Sequence, residues 1–183
     1  GGTDGIADIG LDHGGLLGAA AIIGTPARAP SPQGHLRDCG HRYTAAMFQP
    51  SQADVRRFFC AAHAKARAGE PMEAIETLAS LWIDEHPEYH AELQDADAAV
   101  ARNYDETPDR TNPFLHLSMH LSISEQCSID QPRGIRQAVE LLAHRLDSLH
   151  DAHHVAMECL GEMLWESQRS GRPPDGQAYV ARV

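Results

Sequence analysis

The chain has 183 residues, of which 42% are hydrophobic and 22% are charged, so it is long enough to bury the core of an ordinary soluble domain. Its 26 acidic and 15 basic residues give a formal charge of −11, which argues against nucleic acid as a partner, because binding phosphates requires clustered Lys and Arg. The longest apolar run, residues 16–23, is far shorter than the roughly 20 residues of a bilayer span, so no membrane insertion is expected. Twelve histidines stand out in this composition.

Residues 1–46 show no sustained helical or strand periodicity and hold ten of the fifteen glycines. Met47 follows, four residues before Ser51, which can cap a helix. We therefore expect residues 1–46 to be a disordered or non-native extension and residues 47–183 to form a helical domain. The alternative is a functional tail in which residues 16–23 dock onto a partner.

The segments after Ser51 carry the start and stop signals of helices. Ser51 caps a first helix that Gly69 ends. Pro71 then restarts the chain at a first-turn position, and the next apolar stripe runs through Ile75 and Trp82. Proline disfavours a helical residue before it, so we expect a new helix or a kinked continuation over residues 88–104, and a loop over residues 105–111.

The second half of the chain carries the same kinds of helix start and stop signals. Asn112 and Pro113 predict the start of a helix that runs to about residue 127, and Pro132 predicts the start of the next. That helix should direct four side chains inward, namely Ile135, Val139, Leu142 and Leu146. The last long helix should cover residues 149–169, with Trp165 in the core and a short terminal turn or helix after it. The fold class predicted is all-α, a compact bundle of about six helices with short loops.

One segment contests that prediction. Residues 115–124 alternate strictly between apolar and polar, which is typical of a strand. We favour a helix, because Leu and Met are good helix formers and no second strand is available for pairing. The choice decides whether His116 and His120 lie one turn apart on one face.

Three histidine pairs have the spacing H-x-x-x-H, more than a random distribution predicts: His86/His90, His116/His120 and His150/His154. Two imidazoles one helical turn apart supply half of a tetrahedral metal site, and a facing helix must supply the other half. If the helices that carry them face each other, then His116, His120, His150 and His154 could bind a divalent metal such as zinc or iron. Glu158 lies near His154 and is a candidate fifth ligand or outer partner.

Structural interpretations compete with this one. His86 can simply close a helix before Pro87, with His90 facing solvent. His116 and His120 can be hydrogen-bonded core residues. A ferritin-like di-iron site is disfavoured because the Glu-x-x-His units of that site are absent. No nucleophile motif or phosphate-binding loop is present, so the sequence does not decide whether the protein is an enzyme.

Five blocks carry a family resemblance: residues 48–51, 86–90, 111–120, 125–130 and 157–165. On these blocks the stretch 47–183 resembles a bacterial family of uncharacterised proteins, the domain of unknown function 1841. The resemblance implies a small, mainly helical cytoplasmic protein and brings no activity, substrate or cofactor.

Three hypotheses about function remain open. The first is a small cytoplasmic protein that binds a divalent transition metal through His116, His120, His150 and His154. The second is a non-catalytic module whose acidic helical surface meets a basic protein partner, with structural histidines. The third is a helix bundle whose stability responds to pH through its histidines.

Overall fold

The computed structural model describes residues 50–104 and 111–183, and this part of the chain forms helices without any strand. The all-α class expected from the sequence is confirmed. Seven α-helices follow one another: α1 Gln52–Ala68, α2 Ala74–Asp84, α3 Ala96–Ala101, α4 Pro113–Ile129, α5 Ile135–Leu146, α6 Leu149–Ser170 and α7 Gly176–Arg182. A short 3-10 helix, Pro87–Tyr89, lies between α2 and α3. None of the described helices combines the length and the apolar character that crossing a membrane requires.

Helix α1 begins and ends where the sequence predicts. The Asp54 backbone N–H donates to Ser51 Oγ, the Asp54 carboxylate accepts from the Ser51 backbone, and Gly69 adopts a left-handed conformation with φ 65°. Helix α2 begins at Ala74 instead of Pro71, and it leaves Ile75 57% exposed. The expected inward position of Ile75 is therefore wrong, since Ala79, Trp82 and other residues already fill the buried face.

The expected helix over residues 88–104 is wrong for most of its length. Only Pro87–Tyr89 and Ala96–Ala101 are helical, with turns between them. Asp95 explains the second start, because its side chain accepts the Ala98 N–H and so caps α3 there. The predicted loop at 105–111 lies outside the described residues except at Thr111.

Helix α4 is the central element, because it contacts α1, α2, α5 and α6. Its first half packs Phe114 and Leu117 into one hydrophobic core with α1, α2 and α3, and its second half packs Ile123 into another with α5, α6 and α7. Neighbours on several sides explain its strand-like alternation, because no single face of this helix is apolar. Two of its serines donate to its own carbonyls: Ser118 Oγ to Phe114 at 2.6 Å and Ser124 Oγ to His120 at 2.9 Å.

The second core contains the expected Ile135 and Val139 but not every residue predicted for it. Leu146 is 43% exposed, because it is the last residue of α5 and the chain turns away at Asp147. Trp165 is 57% exposed on α6, where the Arg169 guanidinium lies 4.9 Å above its ring. Both inward placements predicted from periodicity are therefore wrong.

Tyr179 anchors α7 in this second core. Its side chain is fully buried, and its hydroxyl has no hydrogen-bond partner within the described part of the chain. A buried hydroxyl without a partner costs about 1–3 kcal/mol. We expect Tyr179→Phe to raise the free energy of unfolding by about 1 kcal/mol in denaturant titrations, whereas Tyr179→Ala should lower it by about 3–5 kcal/mol because it leaves a cavity. A Phe variant less stable than the parent would contradict the first expectation.

Candidate metal centre

Five histidines meet where the two hydrophobic cores join, and we call them the histidine cluster: His86, His116, His120, His150 and His154. His86 comes from the residue before the 3-10 helix, the next two from α4 and the last two from α6. His120 is fully buried and His86 is 3% exposed. The cluster therefore connects three segments of the chain, with His86 and His120 buried and the other three histidines half-buried.

His86 Nε2 is the centre of the cluster. It lies 2.9 Å from His120 Nε2, 3.3 Å from His116 Nε2 and 3.3 Å from His150 Nε2. A neutral imidazole carries one proton on its two nitrogens, and a lone pair on Nε2 accepts one well-aligned hydrogen bond. Three close nitrogen neighbours therefore exceed what hydrogen bonding at this atom can satisfy.

A metal ion would account for this spacing. Four nitrogens at about 2.0–2.1 Å from a tetrahedral zinc ion lie about 3.3–3.4 Å from one another. His86, His116, His120 and His154 each offer one ring nitrogen, and these four atoms all lie within 4.8 Å of one another. The separations between these nitrogens fall on both sides of the tetrahedral value, from 2.9 Å between His86 Nε2 and His120 Nε2 to at most 4.8 Å.

The outer partners of the cluster fix its ring orientations. The Glu88 carboxylate lies 2.8 Å from His86 Nδ1, so Nδ1–H donates to it and Nε2 keeps its lone pair. His150 Nδ1 lies 3.6 Å from an Asp151 carboxylate oxygen. A carboxylate beside the distal nitrogen is the usual partner of a metal-bound histidine.

Aromatic rings and a further histidine close the back of the cluster. Trp82 stacks on His120 with ring centroids 4.1 Å apart, and its Nε1–H donates to Ser124 Oγ at 2.9 Å. His153 is 3% exposed, and its Nδ1 lies 3.4 Å from His120 Nδ1. His120 can therefore donate from Nδ1 to His153 and present its Nε2 lone pair to the centre of the cluster.

Burial favours the neutral form of four histidines in or beside the cluster, because it lowers their pKa values. It lowers the pKa of His116 to about 4, and the pKa of His153 also to about 4, with neighbouring histidines adding to the effect. Burial also holds the pKa of His120 well below its usual range. It lowers the pKa of His154 too, although the carboxylates of Asp151 and Glu158 counteract part of that shift. Neutral imidazoles are the form that binds metals.

These pKa values predict a pH dependence for the metal-free protein. The unfolded chain takes up protons at His116 and His153 near pH 6.5, whereas the folded chain does so only near pH 4. Between these values the unfolded state binds more protons, so the free energy of unfolding falls as the pH falls. We expect a loss of about 3 kcal/mol between pH 7 and pH 5, measured by denaturant titration after EDTA treatment. A flat profile would contradict the neutral burial of these two groups.

The structure brings together some of the metal ligands predicted from the sequence. His116, His120 and His154 share the group of four, and His150 lies against His86 without belonging to that group. His154 Nε2 is buried without a hydrogen-bond partner in the described residues, which leaves its lone pair or proton unmatched. Glu158 is exposed, one turn beyond His154 on α6, and its role as a ligand stays a prediction.

The ligands predicted from the sequence did not include His86, for which closing a helix before Pro87 was the competing interpretation. The spacing of His86 and His90 was a signal for it, but only His86 of that pair joins the cluster. His90 is half-buried, not directed to solvent as expected, and its Nε2 lies 3.0 Å from the Ile83 carbonyl. The turn at Pro87 separates the two rings, so the one-turn spacing of a helix does not apply to them.

Comparison with models of known protein families finds a match over most of the chain. The model of a family described as "Domain of unknown function (DUF1841)" matches residues 51–183. No curated protein and no solved structure matches the chain.

Proposed function

We propose that this chain, which belongs to the DUF1841 family, binds one divalent transition metal ion in the histidine cluster. The proposed ligands are His86, His116, His120 and His154. The Nε2 atom of His150 lies 3.3 Å from His86 Nε2. His150 is therefore the candidate to replace one of these four ligands or to add a fifth nitrogen. The observation that carries the proposal is the approach of three Nε2 atoms to His86 Nε2 within 2.9–3.3 Å.

The donor chemistry narrows the choice of ion. Imidazole nitrogens suit zinc, iron, copper and nickel, whereas magnesium and calcium prefer oxygen. We propose zinc or iron, with Glu88 holding His86 in the tautomer whose lone pair faces the ion. Glu158 remains a candidate outer partner, since its carboxylate acts on His154 electrostatically.

The position of the cluster suggests what the ion does for the fold. Its ligands come from the end of the α2 segment, from α4 and from α6, and these segments contribute to both hydrophobic cores. An ion held there would tie the two cores together and stabilise the folded state in proportion to its binding free energy.

Elemental analysis tests the proposal directly. The chain should be expressed without a histidine tag, supplied with zinc and iron, desalted and analysed for metal by mass spectrometry. We expect about one ion per chain and a higher melting temperature than after EDTA treatment. A stoichiometry near zero after supplementation would overturn the proposal.

The second candidate is a non-catalytic module with structural histidines, which meets a basic protein through its acidic surface. Large exposed apolar side chains favour it: Ile75, Leu81, Ile129, Leu141 and Leu149 are each more than half exposed. In that case, replacing both His116 and His120 by Ala should lower stability without changing metal content. A pull-down should also recover one defined partner.

We further propose that the protein resides in the cytoplasm. Cys60, Cys127 and Cys159 are free thiols, and reduced cysteines are typical of that compartment. Fractionation of cells expressing the chain with its native N-terminal sequence checks this proposal. Recovery in a secreted or envelope fraction would contradict it.

A further inference from the structure

A cavity of about 790 Å³ adjoins the histidine cluster, between the end of α2, helices α4 and α5, and the start of α6. Cavities of roughly 300–1,000 Å³ hold small organic ligands. His150 and His153 belong to its wall, as does Trp82, which stacks on His120. A molecule in this cavity would therefore lie next to the cluster at His150.

The walls of the cavity are mainly apolar. Val139 is buried, whereas Leu81 and Leu149 are 58% and 55% exposed although they line the cavity. A ligand that covers these two leucines removes apolar surface from water and gains about 25 cal/mol per Å² of it. The cavity therefore favours a ligand with an apolar body.

The charges around the cavity are acidic on two sides. Asp84 and Glu85 come from the end of α2, and Glu140 comes from α5. Arg136 is the one arginine or lysine among the lining residues, and its Nε donates to the Cys127 carbonyl at 2.7 Å. Its Nη2 donates to the Ser128 carbonyl, so the guanidinium is held by the end of α4.

The start of α6 does not reverse the excess of negative charge around the cavity. Its positive dipole end borders the cavity at Ser148 and Leu149. Ser148 Oγ accepts the Asp151 N–H at 3.0 Å, and the Asp151 carboxylate lies in the same first turn. The cavity keeps an excess of negative charge.

We propose that this cavity binds a small amphipathic organic cation, a primary amine with an unbranched apolar body. The apolar body packs against Leu81, Leu149 and Trp82, and the ammonium group lies toward the carboxylates of Asp84, Glu85 and Glu140. This site goes beyond the proposed metal site. It does not require the ion, because protein atoms alone form its walls.

The test uses Trp82 as the reporter. Trp165→Phe removes the exposed second tryptophan, so the remaining fluorescence comes from the cavity wall. The metal-free variant is titrated with butylamine, hexylamine, hexanol and hexanoate at low salt. We expect saturable binding of hexylamine, about fourfold tighter per added methylene than butylamine, with hexanol weaker and hexanoate weakest.

Charge variants locate the ammonium group. Glu140→Gln and Asp84→Asn should each weaken the binding of hexylamine about threefold to tenfold and leave the binding of hexanol unchanged. Glu125→Gln makes an equal charge change on α4 outside this cavity. It should change the affinity of neither hexylamine nor hexanol. Absence of a saturable response, or hexanoate binding as tight as hexylamine, would overturn the proposal.

The same titration after zinc addition separates this proposal from the metal site. If zinc does not bind, the amine titration of metal-free protein still reads out the cavity. If zinc binds and no amine does, the metal proposal stands and the cavity proposal is overturned.

Discussion

Replacing His86 by Asn is expected to weaken metal binding roughly 100-fold or more. A structural zinc site contributes about 10–16 kcal/mol from four ligands, so the loss of one ligand costs about 3 kcal/mol. Asn keeps an amide where Glu88 meets His86 Nδ1 but places no donor at the position of Nε2. Competition titrations with a chromophoric zinc chelator measure the change.

The control for this variant is His144→Asn, since His144 is exposed at the end of α5 and outside the cluster. It should bind zinc like the parent. The His86→Asn variant relieves the crowding of three nitrogens around His86 Nε2. The stability of its metal-free form therefore helps to separate a metal ligand from a purely structural residue. A variant that loses stability equally with and without zinc, at unchanged zinc affinity, would show His86 to be purely structural.

Replacing Glu88 by Gln is expected to weaken zinc binding about 10–100-fold without removing a ligand. The carboxylate accepts the His86 Nδ1 proton at 2.8 Å and makes Nε2 a better donor. An amide can still accept that proton through its oxygen but supplies no negative charge. The same chelator competition measures this effect, and cobalt substitution reports by visible absorption whether the coordination geometry is kept.

Glu70→Gln provides the matched control, because Glu70 is an exposed carboxylate in the turn between α1 and α2. It changes the net charge equally and should leave the zinc affinity within about twofold. Since Glu88 is 56% exposed, the metal-free Glu88→Gln protein should fold normally. Equal zinc affinities for Glu88→Gln and Glu70→Gln would exclude a role of Glu88 in orienting His86.

Local signals in the sequence were reliable where a helix end depends on its own residues. Ser51 and Gly69 mark the two ends of α1, and Asn112 caps α4 through its side chain. Such caps are hydrogen bonds between neighbours in the chain, so local sequence predicts them. The same reasoning failed for residues 88–104. There Asp95 starts a short helix, and the turns before it are fixed by packing of Leu93 in the first core.

Periodicity was less reliable for deciding burial. Leu146 and Trp165 fit apolar stripes but lie beyond the surface that a neighbouring helix covers. In α4 the opposite happened: a weakly patterned helix proved to be central, and two of its serines donate to its own carbonyls. Burial depends on where the other helices lie, which the pattern of one segment does not record.

The sequence by itself determined the helical class and the one-turn spacing of His116 with His120 and of His150 with His154, because helix geometry sets those distances locally. Only the tertiary structure decided that these pairs meet and that His86, not His90, completes the group. His86 enters from a turn whose position depends on the packing of α2 against α4, and its partners are 30 to 64 residues away in the chain. A convergence of that kind is fixed by long-range packing, so no local pattern could specify it.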